Sequence, residues 1–401
     1  MYTLNSLVLF LFASVLTLSS DGSFAQARLP TDPAEVLEIL PLRAGDSTAR
    51  QLQQLRAEVL AAARTRPSDA EPATRLADRY FDLALARGDP RYVGYADAVV
   101  KPFESSASAP LQVMRAQLLQ YRHQFVPALE VLAQALKLDP QIGAAHAWRG
   151  AIFLVQADYA SAQKECDALE ALRRPVLQSA CAAWVLAYGG HLQQADAMLQ
   201  AAVKGLTGSE SRIWFLTRLG EVAAWRSQAA QAEKHYRDAL ALGLDDGYLL
   251  AAWGDFLLDQ NRPIEVVKLL SVWESSDTLL LRLSLAETQL KLPAAAAHTQ
   301  ALEDRFAAAK LRGDTTHRAE EARFWLHLRA NPQEAVRVAA ANYEVQREPR
   351  DARILLEAAI AAGDSTAARP VRDWLARSGF EDPRLRQMGT ASALAAKGVS
   401  P

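Results

Sequence analysis

Cysteine is nearly absent: Cys166 and Cys181 are the two in a chain of 401 residues. There is no paired Cys-x-x-Cys, no zinc-protease motif, no phosphate-binding glycine loop and no nucleophile elbow, which excludes the enzyme classes that depend on them. Excess charge is missing too. The 44 basic and 46 acidic side chains leave a net charge of −2, which disfavours an electrostatic grip on nucleic acid or on anionic lipid. Runs of β-branched residues with a period of two are scarce, so essentially no sheet is expected. Beyond the first 27 residues no stretch is apolar enough to cross a membrane.

What the chain does contain is a spacing. Ala116, Ala128, Ala135 and Pro140 stand 12, 7 and 5 residues apart, and the pattern returns every 33–37 residues. It reappears at Gly150, Ala162 and Leu169, at Ala183, Ala195 and Ala202, at Gly220, Ala232 and Ala239, and at Gly254, Val266 and Trp273. A self-similar period of this length marks stacked helical hairpins. Small side chains let two helices approach within the usual 8–10 Å. Leu119, Leu132, Phe153, Leu186, Leu199, Tyr236, Leu257 and Leu270 fill the remaining space. Gly88-Asp89-Pro90, Ala157-Asp158-Tyr159 and Gly190-His191-Leu192 supply turns. Leu138-Asp139-Pro140 ends a pair, because Pro disfavours a helical residue before it.

These residues resemble the tetratricopeptide repeat family. The match is closest over 109–142 and 143–175 and good over 213–246, with Leu219-Gly220 and the turn aromatic Tyr159 at the family's positions. The resemblance implies an all-α fold: a right-handed superhelical solenoid of about eight antiparallel helix pairs. A 401-residue chain with 50% apolar content is too long for one compact core, and a solenoid resolves this by packing each unit on its neighbours. As a whole the chain resembles exported bacterial repeat proteins without an assigned activity.

The order along the chain follows. Residues 1–27 read as a secretory signal peptide: an apolar run from Leu7 to Leu18, a polar stretch, then Ala25-Gln26-Ala27 as the cleavage site. Removing them removes only Asp21 among the charges and leaves a net of −1. The mature protein is then periplasmic or secreted, with no stable membrane span. Residues 28–108 hold N-terminal helices and a divergent first repeat. A helix from Ser47 to Arg64 is expected to pair with one carrying Leu76, Ala77 and Tyr80. The regular array covers 109–277. Divergent repeats follow over 278–382, where position 298, the partner of Ala286, is His rather than small. Residues 383–401 are expected to form a flexible tail.

Cys166 lies nine residues before Pro175 and Cys181 six after it, so antiparallel helices bring them to similar height. They form either a disulfide, which an exported protein would retain, or two buried free thiols. The seven histidines are scattered. His317 and Glu321 are one helical turn apart, but no third ligand is evident, so no metal and no cofactor are expected. Gly363-Asp364-Ser365 reads as a helix end followed by an N-cap, and Arg173-Arg174 as a solvated turn.

That leaves surface recognition. The family's groove positions, carried onto the matching units, are Gln117, Gln120, Tyr121, Trp184, Tyr188, Trp214, Glu221, Trp225, Tyr248, Asp255 and Asp259. The resemblance therefore implies an aromatic concave groove, acidic toward its later half, that takes a protein or peptide ligand. Trp184 and Trp214 have a second reading, as core between neighbouring helices. Aromatic faces also stack on sugars, so the alternative is an envelope-assembly or polysaccharide-handling factor. An enzyme would need converging polar groups in a pocket, and the sequence offers no such cluster.

Overall fold

The structure is a computed structural model, and it describes residues 47–396. The expected signal segment, its cleavage site and the irregular stretch to residue 46 lie outside the described residues, as do residues 397–401. From Gln51 on, the chain forms one compact unit.

Every regular element among the described residues is helical. After α1 (Ser47–Thr65), helices come in antiparallel pairs. Pair one is α2 (Glu71–Arg87) with α3 (Arg91–Val100), and pair two is α4 (Ala109–Tyr121) with α5 (Phe125–Leu138). Pair three is α6 (Gly143–Val155) with α7 (Tyr159–Ala171), and pair four is α8 (Pro175–Tyr188) with α9 (Leu192–Lys204). Pair five is α10 (Ser209–Trp225) with α11 (Ala229–Leu240), and pair six is α12 (Gly247–Asp259) with α13 (Pro263–Leu270). Pair seven is α14 (Asp277–Leu290) with α15 (Ala294–Leu311), and pair eight is α16 (Arg318–His327) with α17 (Pro332–Tyr343). Three helices close the chain: α18 (Pro349–Ala362), α19 (Arg369–Ser378) and α20 (Pro383–Ala396). The fold is an all-α solenoid of tetratricopeptide-like hairpins.

The small residues sit where the helices touch. Ala128, Ala135, Ala162, Ala183, Ala195, Ala232 and Ala239 are completely buried. Gly220 shows why size matters: a methyl carbon there would lie 2.6 Å from the Tyr236 ring. Helix starts are set by local chemistry. Asp158, Asp246 and Asn331 accept a hydrogen bond from a backbone N–H of the first turn, and Pro175, Pro263, Pro332 and Pro349 occupy first-turn positions. The turn inside each hairpin uses one left-handed residue. Gly88, His123, Ala157, Gly190, Ser227, Asn261, Lys291, Ala330 and Gly363 all have φ between +48° and +81°. Cys166 and Cys181 form a disulfide between α7 and α8, with a Cα separation of 5.5 Å.

Two expectations are corrected, and the divergent step at His298 is accounted for. The partner of α2 is α3, not α1, because the turn at Gly88 (φ +60°) folds the chain back at once. The tail expected from residue 383 is helix α20, with Leu385 and Ser392 buried. At the divergent step, His298 Nδ1 lies 2.8 Å from the Glu287 carboxylate, so a polar pair replaces the small-residue contact.

The solenoid also closes on itself. A methyl on Gly247, at the start of α12, would sit 2.8 Å from the Leu85 carbonyl of α2. The Arg347 N–H donates to the Val155 carbonyl at 2.7 Å. Tyr188 donates to Glu348, and the Leu192 N–H donates to Glu381. The hairpin-turn edge of the early pairs thus rests on the later helices, roughly five pairs further along the chain.

Candidate binding surface

The expected groove residues lie on the first helices of their pairs, and the structure gathers most of them into one aromatic seam. The Trp184 ring centre is 5.5 Å from Tyr188, 6.0 Å from Trp214 and 5.8 Å from Trp225. Tyr159, at the start of α7, extends the seam with a centroid 6.2 Å from Tyr188. Helical periodicity explains the grouping. Trp214, Arg218, Glu221 and Trp225 recur at three or four residues and so share one face of α10.

Arg218 organises this face. Its guanidinium lies 4.7 Å from the Trp184 ring centre, 5.2 Å from Trp214 and 3.9 Å from Tyr248, and it donates to Glu221 at 2.7 Å. Burial alone would lower its pKa, but Tyr248 and Glu221 hold it above the ordinary arginine value. The Tyr248 hydroxyl donates to the other Glu221 oxygen at 2.6 Å. Burial pushes the Tyr188 and Tyr248 phenols above their usual range, with nearby carboxylates adding to the shift. Sequence reasoning missed Arg218, although its spacing from Trp214 and Glu221 was visible.

The groove is not open as expected. Trp184 is 6% exposed and Tyr188 2% exposed. Tyr188 donates to Glu348 at 3.0 Å, and the Phe380 ring lies 5.3 Å from Trp225. Trp184 therefore follows its second reading, as core. Trp214, Trp225 and Tyr248 keep partial exposure. Gln117 and Tyr121 do not join the seam. Tyr121 packs edge-on against Phe81 at 6.2 Å, within the N-terminal cluster, and its phenol is pushed up to about 12 by burial and by carboxylates including Asp314.

The acidic half is corrected as well, because its charges are neutralised within the chain. Asp255 accepts from Arg282 at 2.7 Å and from Arg323 at 2.8 Å. Against the effect of burial, these two arginines hold its carboxyl well below the usual range. Asp259 takes both ends of the Arg353 fork at 2.7 Å, and Arg384 besides. Arg323, Arg353 and Arg384 come from beyond α15, so no local sequence signal could have paired them.

Among the described residues, no group of His, Cys, Asp and Glu is arranged to hold a metal. Glu321 instead accepts from the Trp325 indole. Asp364 caps the turn after α18, accepting from the Thr366 and Ala367 N–H groups. Imidazole–carboxylate pairs exist at His146–Glu165, His298–Glu287 and His327–Glu357. In this structure no hydroxyl or thiol among the described residues is hydrogen-bonded to them, so they lack a positioned nucleophile. No described helix is long and apolar enough to cross a membrane.

No protein-family profile matches the chain, and no curated protein matches it. Among solved structures, the tetratricopeptide domain of P58(IPK) aligns at 15% identity, covering 87% of this chain and 95% of that one, with a TM-score of 0.23. A structure of Naa15/Naa10 bound to HypK-THB aligns at 14% identity, covering 86% and 66%, with a TM-score of 0.25. Scores at this level do not amount to a shared overall shape.

Proposed function

We propose that this protein is a non-catalytic scaffold that holds a segment of another protein against the first helices of its hairpins. One observation carries the reading: rings from three successive pairs form a continuous seam around Arg218, part of which stays accessible at Trp214, Trp225 and Tyr248. Aromatic residues and arginine in such clusters concentrate binding energy. Tyr121 and Gln117 offer a second, smaller contact on the N-terminal pairs. The scaffold works outside the cytoplasm, in the periplasm or beyond. The segment 1–27 supports this, and so does a disulfide of the kind that persists in oxidising compartments.

A peptide-library screen with the mature chain tests the proposal, with a glycan array run beside it. Peptide binders should emerge, and Trp214→Ala should weaken them about tenfold with an unchanged circular dichroism spectrum. Glycan binders alone, or peptide binding indifferent to Trp214→Ala and Tyr121→Ala, would overturn it.

A further inference from the structure

α19 does not behave as the second helix of a hairpin. Elsewhere each first helix packs along the helix that follows it, whereas α18 packs along α17 before it and α20 beyond it and has little backbone contact with α19. α19 is strongly two-faced. Val371 and Trp374 are buried, while Arg369, Arg372, Asp373 and Arg377 are polar. Its anchors lie on distant pairs. The Trp374 indole donates to the Tyr159 hydroxyl at 2.7 Å, across 215 residues.

The non-helical segment after it, residues 379–382, continues the same docking. Phe380 is fully buried, 5.3 Å from Trp225 and 6.5 Å from Tyr188. The Glu381 carboxylate accepts from the Leu192 N–H at 2.8 Å, capping the first turn of α9, where an anion is favoured. The backbones also touch: a methyl on Gly190 would fall 2.5 Å from the Gly379 carbonyl oxygen. Arg386 of α20 donates to the carbonyls at 379 and 380. Left-handed glycines flank α19, Gly363 at +69° and Gly379 at +66°, and neither has a neighbour within 4 Å of where a side chain would start. Such residues can absorb a hinge motion. α20 packs on α18 directly, so the stretch between them, which meets α20 through Arg372–Ser392 and Leu375 beside Gly389, can lift while α18 and α20 stay in contact.

We infer that α19 and residues 379–382 form a latch, an intramolecular ligand seated on the aromatic edge of pairs three to five. When it is released, the edge takes a partner segment of like chemistry: an amphipathic stretch bearing Trp and Phe, closed by a carboxylate that caps α9. This rests on the scaffold reading above, and it adds where the seam is regulated and what it recognises.

Hydrogen exchange on the full chain and binding of a labelled peptide copying residues 369–382 test the latch together. Amides of 369–382 should exchange faster than those of α18 and α20, by way of local opening. Phe380→Ala, which removes a latch ring and leaves the face beneath it unchanged, should speed that exchange and raise peptide affinity. Glu381→Ala, which loses only a cap, should do so by roughly fivefold. Adding Trp225→Ala to either variant should cut peptide binding about tenfold. The inference fails if 369–382 exchange only with global unfolding. It also fails if both opened variants, folded by circular dichroism, gain no affinity for the peptide. Either failure leaves the library screen on Trp214 intact, so the scaffold reading is judged separately.

Discussion

Pairs two to six and the helices from α14 onward are built from the same hairpin but are held in different ways. In the first region each helix meets its sequence neighbours through alanine, glycine and leucine, as at Ala128, Leu132 and Ala135. In the second, much of the hold comes from ion pairs and hydrogen bonds reaching back along the chain: 94 residues for Arg353–Asp259, 160 for Tyr188–Glu348 and 189 for Leu192–Glu381. Local apolar packing repeats itself and is indifferent to salt. Long-range closure costs more loop entropy and is slower to form, and its exposed ion pairs are screened by salt. On the reading proposed above, the regular region is the scaffold and the later helices govern access to its inner face.

The largest effect that probes this contrast is reduction of Cys166–Cys181. The bridge spans 15 residues, and its loss should cost about 3 kcal/mol on chain-entropy grounds. Urea unfolding with and without reductant measures this. Because Tyr159 and Tyr188 flank the bridged helices and receive the closing contacts, closure should be lost in the same transition. A separate, unaffected C-terminal transition would break the comparison. Next in size is Gly220→Ala. The added methyl meets the buried Tyr236 ring, and overpacking of this kind costs about 2 kcal/mol. Gly254→Ala is its control. There the methyl would lie at an ordinary 3.6 Å from Leu270, so removing a helical glycine should stabilise by up to about 1 kcal/mol.

This division also explains what could be read in the sequence. Small-residue spacing is a local code, so the hairpins, the turns at Gly88, Ala157 and Gly190, and the membership of Trp184, Tyr188, Trp214 and Trp225 in one face were all legible. The closure was not. Nothing near Asp259 announces Arg353, and nothing near Trp225 announces Phe380, because such pairs depend on how many hairpins make one superhelical turn. That number is a sum of small rotations over many helix contacts. The helix at 383 was missed for a related reason: its few large apolar residues, Leu385 among them, suffice only because α18 offers a ready surface.

A pH experiment looks at the second region alone. Asp351 is 1% exposed, accepting from the Asn342 side chain at 2.8 Å and from the Glu348 N–H at 3.1 Å. Burial pushes its pKa up to about 7 from an ordinary 3.8; Arg350 opposes this and Glu348 adds to it. Between those values the folded state holds a proton that the unfolded chain has released, so this group's contribution to stability falls as pH rises from about 4 to about 7. Asp351→Asn cannot titrate and should flatten that part of the stability curve, as measured by urea unfolding at a series of pH values. An unchanged slope would mean the capping box around α18 is already charged at neutral pH.

The smallest effect asks whether the two regions share one turn. Ala157 (φ +60°) lies in the regular array and Ala330 (φ +48°) in the later helices. A left-handed alanine carries a cost of about 1–2 kcal/mol that glycine avoids. Glycine also frees the unfolded chain, which takes back about 0.4–1 kcal/mol. Ala157→Gly and Ala330→Gly should therefore each stabilise by about 0.5 kcal/mol, seen as a rise in urea midpoint at constant slope. Equal gains would mean that the hairpin turn is one device used throughout, and that only the closing contacts set the later helices apart. A larger gain at Ala330 would place extra backbone strain in the region that bends back onto the early pairs, making closure a property of the turns as well as of the charges.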